Sequence, residues 1–320
     1  MVLQKMTETG HRGVDRDLPD GIILIDKNEG ETSFDVVKRI KRVTKRKKVG
    51  HAGTLDPFAT GLLIILLGQG TKLSHYLMVG KKRYLAAIKL GIETDTLDKT
   101  GRVLRTCDVP QLEKEEVEEN VRGFLGDIEQ VPPLFSAVYH KGERAYKLAR
   151  KGITVDLKKR MVRVHSVKII SMDIPEIRLD ISCSHGTYIR RLASDLGNRL
   201  GSMAHLSFLR RLSSEPFRVD NAMNSRSIDI SMPADLLREK IVPLQDALPH
   251  MEEFPVDPGM AKRIRNGYRP QWKEIAGGKP LASIPEGLIK IIHGRSLVAV
   301  IELNPLPHDQ DWLKKIRVFN

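Results

Sequence analysis

Apolar residues recur along this chain with two spacings, every second residue and every third or fourth. These spacings predict alternating strands and amphipathic helices. A short strand is expected over Ile22–Asp26, followed by a turn at Asn28–Gly30. Ser33 is expected to cap a helix reaching about Arg46, with Val36, Ile40 and Val43 at i, i+4 and i+7 on its buried side. A loop spans Gly50–Gly61, and the unbroken apolar run Leu62–Leu67 reads as a buried strand. A helix should follow Gly70, then a strand over Lys82–Leu90 and a polar turn over Glu93–Gly101. Leu112–Phe124 has the pattern of a charged amphipathic helix, and Gln130–Gly142 is irregular around Pro132 and Pro133. Strands follow near Met161–Ile170 and Ile177–Cys183. The strongest helical pattern is Thr187–Leu200, where Ile189, Leu192, Ala193, Leu196 and Leu200 share one face. A strand near Leu206–Leu212 completes this part.

The character of the chain changes near residue 250. Pro249, Pro255 and Pro258 suggest a linker. Beyond it, Leu288–His293 and Leu297–Leu303 flank Gly294 and Arg295 as a hairpin, and Ile316–Phe319 forms a closing strand. The expected organisation is a loose tail over residues 1–20, a main domain over 21–250 and a small β-rich domain over 251–320. No internal repeat is evident.

Charge narrows the partners. The 320 residues carry a formal charge of +13, and 41% of them are apolar. A folded protein with a polyanionic partner fits this balance, since cations that meet phosphates release counterions. The charge is concentrated: eight of the eleven residues from Lys38 to Lys48 are lysine or arginine. Like charges so dense repel one another unless an anion meets them. Lys45, Arg46, Lys47 and Lys48 are therefore candidate nucleic-acid contacts. The longest apolar run is six residues, against about 20 needed for a spanning helix, so no membrane role is expected. No secretory signal is expected either. Cys107 and Cys183 are far apart and outside any C-x-x-C, which argues against a disulfide framework or a cysteine zinc site and fits a reducing cytoplasm. Gly68–Lys72 follows an apolar strand but lacks both the last glycine of a dinucleotide turn and the P-loop lysine. Ser74-His75 lacks the surroundings of a nucleophile elbow. No helix-turn-helix, zinc finger or heptad pattern appears.

The most informative stretch is Gly50-His51-Ala52-Gly53-Thr54-Leu55-Asp56-Pro57-Phe58-Ala59-Thr60-Gly61. It holds one carboxylate between glycines. Pro57 forces Asp56 into an extended conformation, and the glycines permit tight backbone paths and close approach by a ligand. Such a loop presents a single carboxylate rigidly, although an aspartate that merely closes a turn has the same local look.

This loop resembles the active-site motif of the TruB family of pseudouridine synthases. The resemblance continues through Asp26–Ser33, Lys82-Arg83-Tyr84, Gln130–Ala137, Tyr146–Arg150, Gly186–Arg190 and Leu209-Arg210-Arg211. The chain departs at Asn28, where the family usually has proline, a change expected to loosen a turn. The resemblance implies an α+β pseudouridine synthase fold, with a mixed, mainly antiparallel sheet and flanking helices. It also implies a C-terminal PUA-like RNA-binding domain, to which Ala261–Gly267 is similar. It further implies that Asp56 is the nucleophile, paired with Arg190. By the same resemblance Tyr84 is expected to pack on the target base and is the candidate to take its C5 proton. His51 is expected to help hold the RNA loop open around the flipped base, Tyr188 and Leu209 to line the pocket, and Lys27 to support the first-motif turn. Arg190 independently calls for an anion, since a cation in the first turn of a helix opposes the helix dipole by roughly 0.3–1 kcal/mol.

The implied reaction isomerises uridine to pseudouridine in tRNA, most specifically the T-loop uridine at position 55, after the base leaves its stack. It needs no cofactor and no metal. The expected partners are the T-loop and the acceptor end of tRNA, the expected oligomeric state a monomer, and the expected location the cytoplasm. The competing reading is a non-catalytic RNA-binding or tRNA-folding protein on the same scaffold.

Overall fold

The computed structural model describes residues 18–280, 287–304 and 312–320. Most of the expected N-terminal tail lies outside these residues. Its end is not loose: Leu18 is buried in the core and Asp20 pairs with Arg46.

β1 (Gly21–Lys27) leads through a turn to α1 (Ser33–Thr44). Val36, Ile40 and Val43 enter the core as their spacing predicts. The cap differs from expectation. Thr32 is the N-cap, accepting from the Asp35 amide while the Asp35 carboxylate accepts from the Thr32 amide. Ser33 is buried and its hydroxyl is used elsewhere. The helix stops before Arg46 because Lys45 turns into the left-handed region at φ 53°.

β2 (Val49–Ala52) and β3 (Thr60–Leu67) pair antiparallel. The expected Gly50–Gly61 loop is therefore strand at both ends. A 3-10 turn over Gly68–Leu73 follows, then α2 (Ser74–Met78) and β4 (Lys82–Leu90). The polar turn after β4 is edged by β5 (Ile92–Thr94) and β6 (Val103–Thr106). Next come α3 (Lys114–Arg122), β7 (Gly126–Gln130), the short hairpin of β8 (Tyr139–His140) and β9 (Glu143–Arg144), and α4 (Ala145–Arg150). β10 (Arg160–Asp173) and β11 (Glu176–Cys183) precede α5 (Ile189–Arg199). β12 (Ala204–Ser214), β13 (Phe217–Arg218), β14 (Met223–Asn224), α6 (Ala234–Glu239) and β15 (Ile241–Pro243) close this part.

These strands form one mixed, mainly antiparallel sheet in the order β14-β1-β3-β12-β4-β11-β10-β7, with β2, β13 and β15 attached to β3, β12 and β1. Two junctions are parallel, β1 with β14 and β3 with β12. Successive strand residues face opposite sides, so each strand feeds two cores. Ile23, Ile25, Leu63 and Ile65 join α1 and α5 on one face; Ile22, Leu24, Leu62 and Ile64 meet α2 on the other. Burial on both faces explains the unbroken apolar run of β3.

β16 (Glu252–Pro255), α7 (Pro258–Arg265), α8 (Trp272–Ile275), β17 (Leu288–His293), β18 (Ser296–Leu303) and β19 (Leu313–Val318) follow. The four strands make a second sheet in chain order. The prolines near 250 do not mark a free linker. Pro255 ends β16, which is hydrogen-bonded to β17, and Pro258 starts α7 behind the cap of Asp257, where its missing N–H costs nothing. Met251, Leu297, Val300 and Phe319 pack into the same apolar cluster as β1 and β3, so the two sheets share a sealed seam.

Candidate active site

Asp56 lies between β2 and β3, and both of its neighbours are tied to the stretch from the end of β1 to the first residue of α1. The Ser33 hydroxyl accepts from the Leu55 amide at 2.9 Å and donates to the Leu55 carbonyl at 3.1 Å. The Pro57 carbonyl accepts from the Gly30 amide at 2.9 Å and from Lys27 Nζ at 3.2 Å. Lys27 is fully buried, and burial lowers its pKa to about 8. Asn28 does not loosen the turn. Its amide donates to Ser225 Oγ at 3.1 Å, a bond proline cannot make, and its side chain donates to Ser225 and Asn224, both at 2.8 Å. Gly61 closes the loop at φ +100°, where any Cβ would collide with the Arg211 backbone on β12.

Arg190, in the first turn of α5, brings its guanidinium to this carboxylate. Nε stands 2.9 Å from Asp56 Oδ2 and Nη2 donates to Oδ1 at 3.3 Å. Nη1 also donates to the Thr96 carbonyl at 2.7 Å and Nη2 to the Phe135 carbonyl at 2.9 Å. A second carboxylate, Asp98, lies 3.5 Å from Nη1 and is as buried as the arginine. Its Oδ1 accepts from the hydroxyls of Thr96 and Thr100, which leaves Oδ2 facing the guanidinium. Burial pushes the Asp56 carboxyl above the usual carboxylate range, Arg190 pulls it back, and Asp98 pushes it up again. A third of the Asp56 side chain stays accessible, and it opens into the adjoining cavity.

That cavity measures about 400 Å³ and is lined by Asp56, Tyr84, Tyr188, Arg190 and Leu209 among others. It falls within the roughly 300–1,000 Å³ typical of small-molecule sites. Its floor is the middle of the large sheet. Tyr84 on β4 stands directly opposite Arg211 on β12, so both side chains emerge on one face, and Leu209 shares it two residues along. Burial pushes the Tyr84 phenol up to about 12, against the pull of Arg211. Tyr188 caps α5 at the cavity edge, with the Arg160 guanidinium 4.3 Å from its ring centre.

The structure thus gathers five of the sequence-predicted residues around one cavity. His51 does not line it. It sits half-buried on β2 with Nδ1 unpartnered, and burial lowers its pKa. Lys45, Lys47 and Lys48 are exposed after α1. Arg46 differs from these lysines: its guanidinium is mostly buried in an ion pair with Asp20.

Sequence reasoning missed four residues. Asp98 was read as part of a turn. His75 lines the cavity although Ser74-His75 carries no motif. Lys82 lines it too, donating to the carbonyls of Met78 and Gly80, and burial lowers its pKa to about 8. Arg211 lines it beside Tyr84. The strand alternation from Leu209 held the signal for Arg211, and that from Tyr84 the signal for Lys82.

Comparison with known proteins bears on the chemistry. A family model described as TruB family pseudouridylate synthase (N terminal domain) matches residues 41–189. The chain is 41% identical to a tRNA pseudouridine synthase B of Geobacter sulfurreducens over 304 residues, 94% of this chain and 100% of that protein. It is 43% identical to a tRNA pseudouridine synthase B of Syntrophobacter fumaroxidans over 94% of this chain and 98% of that protein. Among solved structures, a chain from a Cbf5–Nop10–Gar1 complex superposes with a TM-score of 0.70 at 24% identity, covering 94% of this chain and 84% of that one. That similarity establishes the fold.

Proposed function

Because this chain belongs to the TruB family of pseudouridine synthases, we propose that Asp56 is the nucleophilic carboxylate with which it isomerises uridine to pseudouridine in tRNA. The observation that carries this role is the fixed Arg190–Asp56 pair at the open cavity. In the reaction the N1–C1′ bond breaks, the base rotates, and C5 bonds to C1′. Attack on C1′, addition to C6 and assisted elimination all require the ionised carboxylate. Arg190 opposes the rise that burial imposes on the Asp56 carboxyl and so favours its ionised form, and its own fork is held by backbone carbonyls, so little need rearrange as charge moves. The apolar side of the cavity, Leu55, Ile189 and Leu209, suits the faces of a pyrimidine withdrawn from its stack. On this reading Tyr84 takes the C5 proton and Tyr188 contacts the base or ribose, since both line the cavity beside Asp56.

The T-loop uridine at position 55 is the substrate position this reading favours. Lys45, Lys47 and Lys48 then meet the phosphate backbone, and the β16–β19 unit acts as a PUA-like module for the acceptor end. A cytoplasmic monomer completes the reading.

The test is to incubate purified protein with unmodified tRNA transcript and no added cofactor, and to map pseudouridine by carbodiimide labelling and primer extension. The expected result is a single new T-loop stop that Asp56→Asn abolishes while tRNA binding stays within a few-fold. An active Asp56→Asn protein overturns the assignment of Asp56. A stop elsewhere overturns the T-loop position.

A further inference from the structure

Arg211 is 2% exposed and, among the described residues, forms no ion pair with a carboxylate. Its hydrogen-bond partners there are neutral carbonyls: Nε donates to Leu62 at 2.7 Å and Nη2 to Gly53 at 3.0 Å. A buried guanidinium without a counter-charge is costly to keep. Its charged surroundings make the cost larger. Lys82 on β4, His51 on β2 and Lys27 on β1 all feel its repulsion. The carboxylate that lines the same cavity, Asp56, is already matched by Arg190. The other titratable group facing Tyr84 is the Cys183 thiol on β11. A cation so placed, lining a reaction cavity, awaits negative charge that appears during the reaction.

Strand register identifies where that charge arises. Tyr84 and Arg211 are directly opposed across β4 and β12, so both side chains emerge on one face of the sheet, and the guanidinium charge favours the phenolate. We propose that Arg211 is the positioning residue that makes Tyr84 usable as a base, by stabilising its phenolate. This rests on the assignment of Tyr84 as the group that takes the C5 proton.

The step balances without a co-reactant. When C5 joins C1′, the base is left with a hydrogen on C5, a C6=N1 double bond and no proton on N1. Tyr84 gives its phenolic proton to N1. The C5–H bond then breaks, its electrons form the C5=C6 double bond, the former C6=N1 pair settles on N1, and the phenolate takes the proton. Tyr84 ends as the phenol it began as. The phenolate exists only between the two transfers, when Arg211 has its counter-charge.

The experiment places 3-fluorotyrosine at position 84 of the full chain and follows its titration by fluorine NMR. In Arg211→Gln, the phenol pKa should rise by about one unit or more. Single-turnover pseudouridine formation should fall by roughly tenfold or more, with tRNA affinity within about twofold. A more acidic polyfluorinated tyrosine at 84 should recover part of the rate in Arg211→Gln. An unchanged phenol pKa alongside the lost rate would make Arg211 a structural anchor and overturn the proposal. If Arg211→Gln does not fold, Arg211→Lys keeps the cation, and the same titration should then stay near the parent value; a rise of a full unit there also overturns it. Full turnover by Tyr84→Phe would instead remove the base assignment beneath it.

Discussion

Arg190 meets Asp56 at 2.9 Å with its own geometry already set by the carbonyls of Thr96 and Phe135. Three segments distant in sequence therefore converge on one guanidinium, and the Asp56 carboxylate receives a cation held in place from two other sides. Asp98 on the far side of the same guanidinium competes for its charge. The balance between these acids controls how much of Asp56 is ionised at a given pH.

That balance predicts the pH dependence. Burial raises the Asp56 pKa and Arg190 opposes the rise. Arg190→Lys loses the fork, so the carboxyl pKa should climb further. The reaction needs the carboxylate, so activity is lost as pH falls through this pKa. The acid limb of the single-turnover profile should move upward by about one unit, with a neutral-pH deficit that shrinks as pH rises. Tritium release from 5-tritiated uridine in tRNA, followed from pH 5.5 to 9, reads this directly. A uniform loss at every pH would point to lost geometry alone.

Ser33 should matter to turnover although it lies outside the cavity. Ser33→Ala leaves the buried Leu55 amide without its acceptor, costing about 1–3 kcal/mol. Displacing the loop by a fraction of an ångström should lower kcat by roughly 10–100-fold, with tRNA affinity nearly unchanged. Thermal melting and steady-state kinetics check the two effects together. Weakened binding at full kcat would mean that the loop recognises RNA rather than holding Asp56.

Lys82 carries a stability signature that depends on pH. Its folded pKa is about 8 against 10.5 in the unfolded chain. Between these values the unfolded state binds the extra proton, so this lysine's penalty is full below about pH 8 and fades as pH rises. Lys82→Met removes it. Relative to the parent protein, the variant should lose about 2 kcal/mol of its standing between pH 7 and 9.5, on top of a constant cost for the orphaned Met78 and Gly80 carbonyls. Urea melts at the two pH values provide the comparison. A pH-independent difference would mean that the ammonium is solvated.

The basic run divides into two kinds of residue. Replacing Lys45, Lys47 and Lys48 together by alanine should reduce the slope of log affinity against log salt by about 2–3, at roughly 0.7–0.9 per lost phosphate contact. Arg46→Ala should leave that slope alone and cost stability, because its partner is Asp20. Filter binding at several salt concentrations, paired with melting curves, separates the cases. Equal slopes for all variants would show the lysines to be a solvated surface.

Much of the secondary structure was open to reading from the chain alone. The strand over Lys82–Leu90 and the helix centred on Leu192–Leu196 follow from side-chain periodicity, a local property. The Asp56 loop stood out because Pro57 and the flanking glycines restrict its backbone by themselves. Polar partners were not readable in this way. Ser33 looks like a helix cap, but tertiary packing turns it onto Leu55, 22 residues away, and leaves the cap to Thr32. Arg46 looks like its basic neighbours until Asp20 reaches it. Pro255 and Pro258 resemble linker residues until β17 pairs with β16. Arg211 acquires its place only when β12 lies against β4, 127 positions earlier in the case of Tyr84. Backbone conformation and the division of apolar from polar faces are set by neighbouring residues, so the elements and the presented carboxylate are legible in the chain. A charge or hydroxyl takes its meaning from whatever group the folded chain brings within about 3 Å, and those meetings arise only on folding.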